Sequence, residues 1–292
     1  MLGIQRGFAK EKLMRKEEIL VEHGIWQSVK ISFTVSDIMT KRDQWEVIMI
    51  EDRNETCKQE LKYDVTPISR NGIVNTFIQN KNNRKEQEIT RDWLITNNTS
   101  IPELIKTFIE TKKPALFVIK TQDFVGLVTP ADINKLEARS FMYYVIGELE
   151  LVIVEFIRII GQLTPDEIIN CFSEKRRADI LETAEKLHEE NVDVTPDYLE
   201  LLQFSELIRI IEKNEKIYNA LGFMSRAKAH DSLYGLVNLR NAVMHPSKPL
   251  IIDKYTSLKD VNDRFLLIEY LFNKINELCK EQNKIDLLEW NK

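Results

Sequence analysis

The chain has 292 residues, 43% of them hydrophobic and 30% charged, with only 9 Gly and 8 Pro, so it holds enough apolar residues for one or two folded domains and too few breakers for long disordered tracts. A formal charge of -5 excludes a global electrostatic pull toward nucleic acid or an anionic membrane; any RNA contact must be local, as at Lys175-Arg176-Arg177 or the run Arg226, Lys228, His230, Arg240. No apolar run reaches the roughly 18 residues that span a bilayer, since the best, from Leu149 to Ile160, is broken by Glu150, Glu155 and Arg158.

The first residues lead into Lys/Glu-rich sequence rather than a secretory hydrophobic region, so the expectation is a cytoplasmic protein with no membrane partner. Cys57, Cys171 and Cys279 lie far apart, with no neighbour at metal-ligand or redox spacing, and no metal site is expected.

In chain order, Phe8 to Gly24 reads as a short amphipathic helix. The alternation of Val29-Lys-Ile-Ser-Phe-Thr-Val35 predicts a strand, as do Trp45 to Ile50, Val65 to Ile68 and Gly72 to Ile78; Gln79 to Glu88 reads as a charged loop. A more regular unit follows. Trp93-Leu-Ile is a strand, Ser100 caps a helix running to about Thr111 with Glu103 three residues on, Ala115 to Ile119 and Val125 to Val128 are strands, and Pro130 opens another helix. This is a β-α-β-β-α order in about 50 residues.

Gly126-Leu-Val-Thr129-Pro-Ala-Asp132, at the end of that unit, resembles the nucleotide-binding signature of CBS (cystathionine-β-synthase-like) domains, and Val35-Ser-Asp-Ile-Met-Thr40 is similar to the opening of a first CBS repeat. The resemblance implies a CBS pair over residues 28–138, with a well-matched second repeat at 89–138. The first repeat is degenerate, with Asn75, Ile78 and Lys81 at the places of Gly126, Thr129 and Asp132. It also implies an adenine nucleotide of ATP, ADP or AMP type as regulatory ligand. The residues suit that role: a glycine admits close backbone approach, a Thr hydroxyl with helix N-terminal N–H groups meets a phosphate, and an Asp accepts from ribose hydroxyls. They suit a purely structural role equally well, Thr129 as N-cap, Pro130 in the first turn and Asp132 closing a capping box.

From Ser140 onward the pattern is nearly all helical. A long apolar helix runs from Phe141 to Gly161, and Thr164-Pro-Asp-Glu167 opens a second. Others are expected over Ser173 or Glu174 to Glu190, Thr195 to about Lys213, Asp231 or Ser232 to Met244 and Leu258 to Gln282. The stretch Leu236-Val-Asn-Leu-Arg240-Asn241-Ala-Val-Met-His245-Pro246 joins an apolar helix to a fixed positive charge, an amide and a group able to titrate near neutral pH, a set suited to phosphodiester chemistry. Arg240-Asn241-x-x-x-His245 resembles the Arg-x(4–6)-His signature of HEPN domains, many of which are metal-independent endoribonucleases acting as dimers, and Glu150 and Glu155 on the first long helix are similar to the acidic helix of that family.

Five helical residues turn about 500°, so Arg240 and His245 stand about 140° apart, and Pro246 biases His245 out of the helix. The fold class expected is α+β, a CBS-pair-like α/β module followed by an all-α HEPN-like bundle. Residues 1–27 would form a helix packing on the module, and residues 139–292 the helical domain.

The function these resemblances imply is RNA cleavage by a homodimer with Arg240, Asn241 and His245 catalytic, Glu150 and Glu155 in support and no cofactor needed for catalysis. A nucleotide held by Gly126, Thr129 and Asp132 would set the activity. By analogy this suits a toxin or a phage-defence effector with an antitoxin or other protein partner. The competing readings are a non-catalytic nucleotide-sensing scaffold that dimerises through its helices, and a structural pairing of Arg240 with Glu150 or Glu155 while His245 caps a helix end.

Overall fold

A computed structural model describes residues 33–50, 62–80, 85–190, 197–253 and 255–290, with the side chains of 190 and 283–290 excepted. The expected helix at Phe8 to Gly24 and most of the strand expected at Val29 to Val35 lie outside the described residues. The chain divides into two compact units. One comprises Gln27–Met142 with His245–Asp263, the other Tyr143–Met244 with Arg264–Lys292. The first therefore includes a segment that follows the long run of helices.

The first unit holds α1 (Val35–Ile38), β1 (Thr40–Lys41), β2 (Ile48–Ile50), β3 (Val65–Arg70), β4 (Ile73–Gln79), β5 (Glu86–Glu88), β6 (Leu94–Thr96), α2 (Ile101–Thr111), β7 (Leu116–Lys120) and β8 (Asp123–Val128). They form two four-stranded sheets, in order β2-β3-β4-β5 and β1-β8-β7-β6. The two sheets share one plan: β2 and β6 lie parallel to β3 and β7, which pair antiparallel with β4 and β8. Each carries a register shift at the matching place, Ile68/Ser69 and Val118/Ile119. The unit is an internal duplication.

The lead strands are exchanged. β1, which begins the first repeat, pairs with β8 of the second, whereas β5, which begins the second, pairs with β4 of the first. Each is followed by a short 3-10 turn, Arg42–Gln44 and Arg91–Trp93. The aligned registers set Val118 opposite Gly126 and Ile68 opposite Thr76, so Thr76, not Asn75, holds the place of Gly126 in the first repeat. Pro67 is tolerated inside β3 because β2 begins to pair only at Ile68.

Between the sheets Phe77 meets Trp93 at 4.5 Å and Phe117 at 5.6 Å, and Phe117 meets Phe124 and Trp45 at 5.9 and 6.0 Å, ring centre to ring centre. Val65 and Ala115 complete that core. Ile48, Ile50, Ile68 and Ile78 form a second cluster.

Three expectations change here. Val35 begins a short helix rather than ending a strand, because Thr34 caps it: the Thr34 amide donates to Asp37 Oδ2 at 2.7 Å and the Asp37 amide to the Thr34 carbonyl at 3.1 Å. The expected loop at Gln79 to Glu88 ends in strand β5, whose polar residues show no hydrophobic alternation because two of its three side chains are exposed; Glu86 is fixed by Arg70 at 2.5 Å and Thr76 at 2.6 Å. Pro130 opens a 3-10 turn, Pro130–Asn134, and the α-helix begins only at Leu136.

That helix is α3 (Leu136–Phe156), continued by a π-turn at Ile157–Gly161. Then come α4 (Pro165–Ile169), α5 (Glu174–Glu190), α6 (Phe204–Lys213), α7 (Glu215–Ala220), α8 (Arg226–Met244) and α9 (Thr256–Trp290). Thr164 and Glu167 form the expected capping box on α4, with the Thr164 amide 2.8 Å from Glu167 Oε2. The single helix expected from Thr195 to Lys213 is instead a 3-10 turn at Tyr198–Leu201 and α6. Gln203 and Glu206 make a new capping box that restarts the helix. In the helical unit α8 packs on α6, with Leu233, Leu236, Leu207, Ile208 and Ile211 in the core.

Candidate functional site

Thr129 ends β8 and caps the turn that follows. Its amide and hydroxyl both donate to Asp132 Oδ2, at 2.7 and 2.8 Å, and the Asp132 amide returns to the Thr129 carbonyl at 3.0 Å. Asp132 is only 7% exposed, and its second oxygen, Oδ1, takes an ion pair from Lys135 at 2.7 Å. Lys135 also donates to the Ile38 carbonyl at 2.5 Å, tying the turn of the second repeat to α1 of the first. The ammonium thus occupies the carboxylate oxygen that the capping contacts leave over.

Gly126 has a packing reason of its own. A Cβ built there would collide with Met39 Sδ, lie 2.8 Å from Met39 Cγ and 3.1 Å from the Thr40 carbonyl, so the bare backbone admits strand β1. Ahead of β1, Thr34 and Asp37 make a capping pair like that of Thr129 and Asp132, the hydroxyl–carboxylate contact being 3.2 Å, although the register places Gln79 at the position of Thr129. Asp37 is exposed where Asp132 is buried. Thr76, at the position matching Gly126, donates its hydroxyl to Glu86. The glycine position of the motif is therefore taken in the first repeat by a side chain that is already hydrogen-bonded.

Asn134, in the same turn as Asp132, accepts from the Leu250 and Ile251 amides at 2.6 and 2.9 Å and donates to the Ile251 carbonyl at 3.2 Å. Arg139, 3% exposed, donates to the Asn134 carbonyl at 3.1 Å and to the Lys248 carbonyl. Burial lowers the Arg139 pKa below the usual guanidinium range. Sequence reasoning did not single out Lys135, Asn134 or Arg139. The Asp132–Lys135 and Asn134–Arg139 contacts are local, but Ile38, Lys248, Leu250 and Ile251 lie about a hundred residues away in the chain.

In the helical unit, Arg240 and Asn241 stand on α8, with Arg240 Nη1 3.4 Å from Asn241 Oδ1. Glu150, half-buried on α3, is raised above the usual carboxylate range by burial, and the positive charge of Arg240 opposes that rise. Arg240 and Glu150 are thus close enough to interact. Glu155 is engaged elsewhere: it pairs with Arg158, which also holds Asp197 and Glu200, each at 2.7 Å. One guanidinium so fastens the 3-10 turn at Tyr198–Leu201 to the π-turn after α3. Asn241 is exposed, and His245, exposed too, is the first residue beyond the end of α8 and belongs to the first unit.

Elsewhere on α8, His230 Nδ1 lies 3.0 Å from the buried Glu212, with its ring stacked on Tyr234 at 5.2 Å. Among the described residues no group of three His, Cys, Asp or Glu stands together as a metal site, and no helix is long and apolar enough to cross a membrane.

No family model and no curated protein sequence matches the chain. Solved structures do. A CBS-domain pair with bound AMP from Klebsiella pneumoniae is 20% identical, with 35% of this chain and 94% of that one covered and a TM-score of 0.27. The CBS domain of a bacterial CNNM/CorC family Mg2+ transporter in complex with ATP is 18% identical over 40% of this chain and 93% of its own, with a TM-score of 0.28. A haemolysin-like protein containing a CBS domain from Oenococcus oeni PSU is 13% identical over 34% and 86%, at 0.26.

Proposed function

We propose that this protein is an endoribonuclease of the HEPN type whose activity is set by an adenine nucleotide bound in the duplicated β unit. What carries the catalytic half is the arrangement on α8: Arg240 with Asn241 hydrogen-bonded to its guanidinium and open to solvent, and the half-buried Glu150 of α3 within range of that charge. Arg240 offers a fixed positive charge to a phosphorane, and Asn241 holds its orientation.

In the reaction, His245 takes the proton from a ribose 2′-OH, O2′ bonds to phosphorus, the P–O5′ bond breaks, and an acid protonates the departing 5′-oxygen to leave a cyclic phosphate and a 5′-hydroxyl. One His245 supplies the base; its copy in a second protomer supplies the acid across a two-fold axis, so the enzyme works as a homodimer. The sensor half is supported by the Thr129–Asp132 pair, in which the buried Asp132 keeps Oδ1 for the ammonium of the partly exposed Lys135. A ribose hydroxyl replacing the Lys135 ammonium on Asp132 would release Lys135 toward phosphate.

The second reading is a non-catalytic nucleotide-sensing scaffold, and the bond of Arg240 to its neighbour Asn241 favours it, since an Arg engaged within its own helix can be structural. One experiment separates them: incubation of the protein with mixed single-stranded RNA in chelator, with and without ATP or AMP, beside His245→Ala and Asp132→Ala. The enzyme reading expects cleavage lost by a hundred-fold or more in His245→Ala, and cleavage in Asp132→Ala that no longer responds to nucleotide. Cleavage unaffected by His245→Ala would remove the proposed catalytic residue, and no cleavage under any condition would leave the scaffold.

A further inference from the structure

The turn Pro130–Asn134 carries two side chains with different duties two residues apart. Asp132 is the acceptor of the candidate nucleotide site, and Asn134 holds Leu250 and Ile251 through three hydrogen bonds. The held segment begins at His245. Its carbonyl accepts the Lys248 amide at 3.0 Å, and the Lys248 carbonyl accepts from Arg139, which in turn donates to Asn134. Pro246 and Pro249 fix φ at two of the four positions between His245 and Leu250, which stiffens the connection. Ile251 is buried at the far end of the strut and anchors it.

From this we infer that Asn134 is a positioning residue that links occupancy of the Asp132 site to the placement of His245. The inference rests on the nucleotide-sensing and ribonuclease readings and names the route between them. A ligand that draws Lys135 off Asp132 breaks the contact of Lys135 with the Ile38 carbonyl and leaves the turn a different set of partners. Asn134 sits in that turn, so any shift of it is passed to the Leu250 and Ile251 amides, and along the proline-stiffened strut to His245. A ligand acts here only through a difference in affinity between two arrangements of the turn.

Hydrogen exchange of the full chain provides the test, read on the segment 246–253 with and without AMP or ATP, beside calorimetric binding of the same nucleotide. In the wild type, saturating nucleotide is expected to change exchange of the Leu250 and Ile251 amides by about three-fold or more, and Asp132→Ala to abolish both binding and response. Asn134→Ala is expected still to bind nucleotide, its affinity altered only by the coupling that is lost, while its segment exchanges fast in both conditions. Asn134→Asp keeps an acceptor for both amides and should restore a nucleotide-dependent difference that a merely structural asparagine would not restore. Nucleotide that binds without altering exchange in 246–253 overturns the link and leaves the sensor reading intact. Nucleotide that does not bind overturns both.

Discussion

Replacing Gly126 with alanine places a methyl group against the Met39 side chain and the Thr40 carbonyl, so that Met39 has to turn aside and β1 to give by a few tenths of an ångström. The expected loss is about 1–3 kcal/mol, as for other overpacked interiors, measured by urea unfolding. Because the nearest atoms belong to the flexible Met39 side chain, Met39→Ala in the same chain should recover part of it. A glycine kept only for a ligand would show no such rescue. Glu150 supplies a pH dependence. Burial raises its folded pKa, so the folded state binds this proton more tightly than the unfolded chain does; the resulting stability is present at acid pH and lost as pH rises through the folded value. Glu150→Gln is accordingly expected to stabilise the protein at neutral pH, the gain closing as pH falls below the ordinary carboxylate range. A loss at neutral pH would mean that the attraction of Arg240 outweighs burial, and a gain that persists at low pH would mean that the gain does not come from the ionised carboxylate.

At the scale of elements, what could be read locally was read. Ser100 caps α2 with Glu103, and Thr164 caps α4 with Glu167, because a cap and its partner lie within one turn and need nothing else. The apolar runs of β3, β7 and β8 likewise declare themselves through their own residues. Elements fixed by distant partners were not legible. β5 is polar throughout and is a strand only because β4 offers it an edge, and the helix expected through residues 195–213 breaks where the distant Arg158 takes Asp197 and Glu200 and Arg176 takes Glu206 and the Leu201 carbonyl. The site divides the same way. Gly126, Thr129 and Asp132 stand in one continuous motif, and Arg240 and His245 in another. Lys135, Asn134 and Arg139 act through Ile38, Leu250, Ile251 and Lys248, contacts that no window of neighbouring residues contains.

Across the molecule, the exchanged lead strands and the shared aromatic core bind the two repeats of the β unit into one cooperative structure. Phe77→Ala in the first repeat removes an aromatic that touches both Trp93 and Phe117, at an expected cost of about 3–5 kcal/mol. Exchange protection should then fall together in both sheets, and protection lost only in the sheet containing Phe77 would show that the repeats unfold separately. The exchange also orders events during synthesis. β5 meets β4 soon after both emerge, but β1, made before nearly everything else in the unit, has no strand to join until β8 appears at the end of the second repeat. Its short, polar sequence is well suited to that wait, since Thr40 and Lys41 give a nascent chain little to aggregate through. Closure of the second sheet is thus the last step that the β unit can complete, and it comes when the Gly126–Asp132 stretch has just been made.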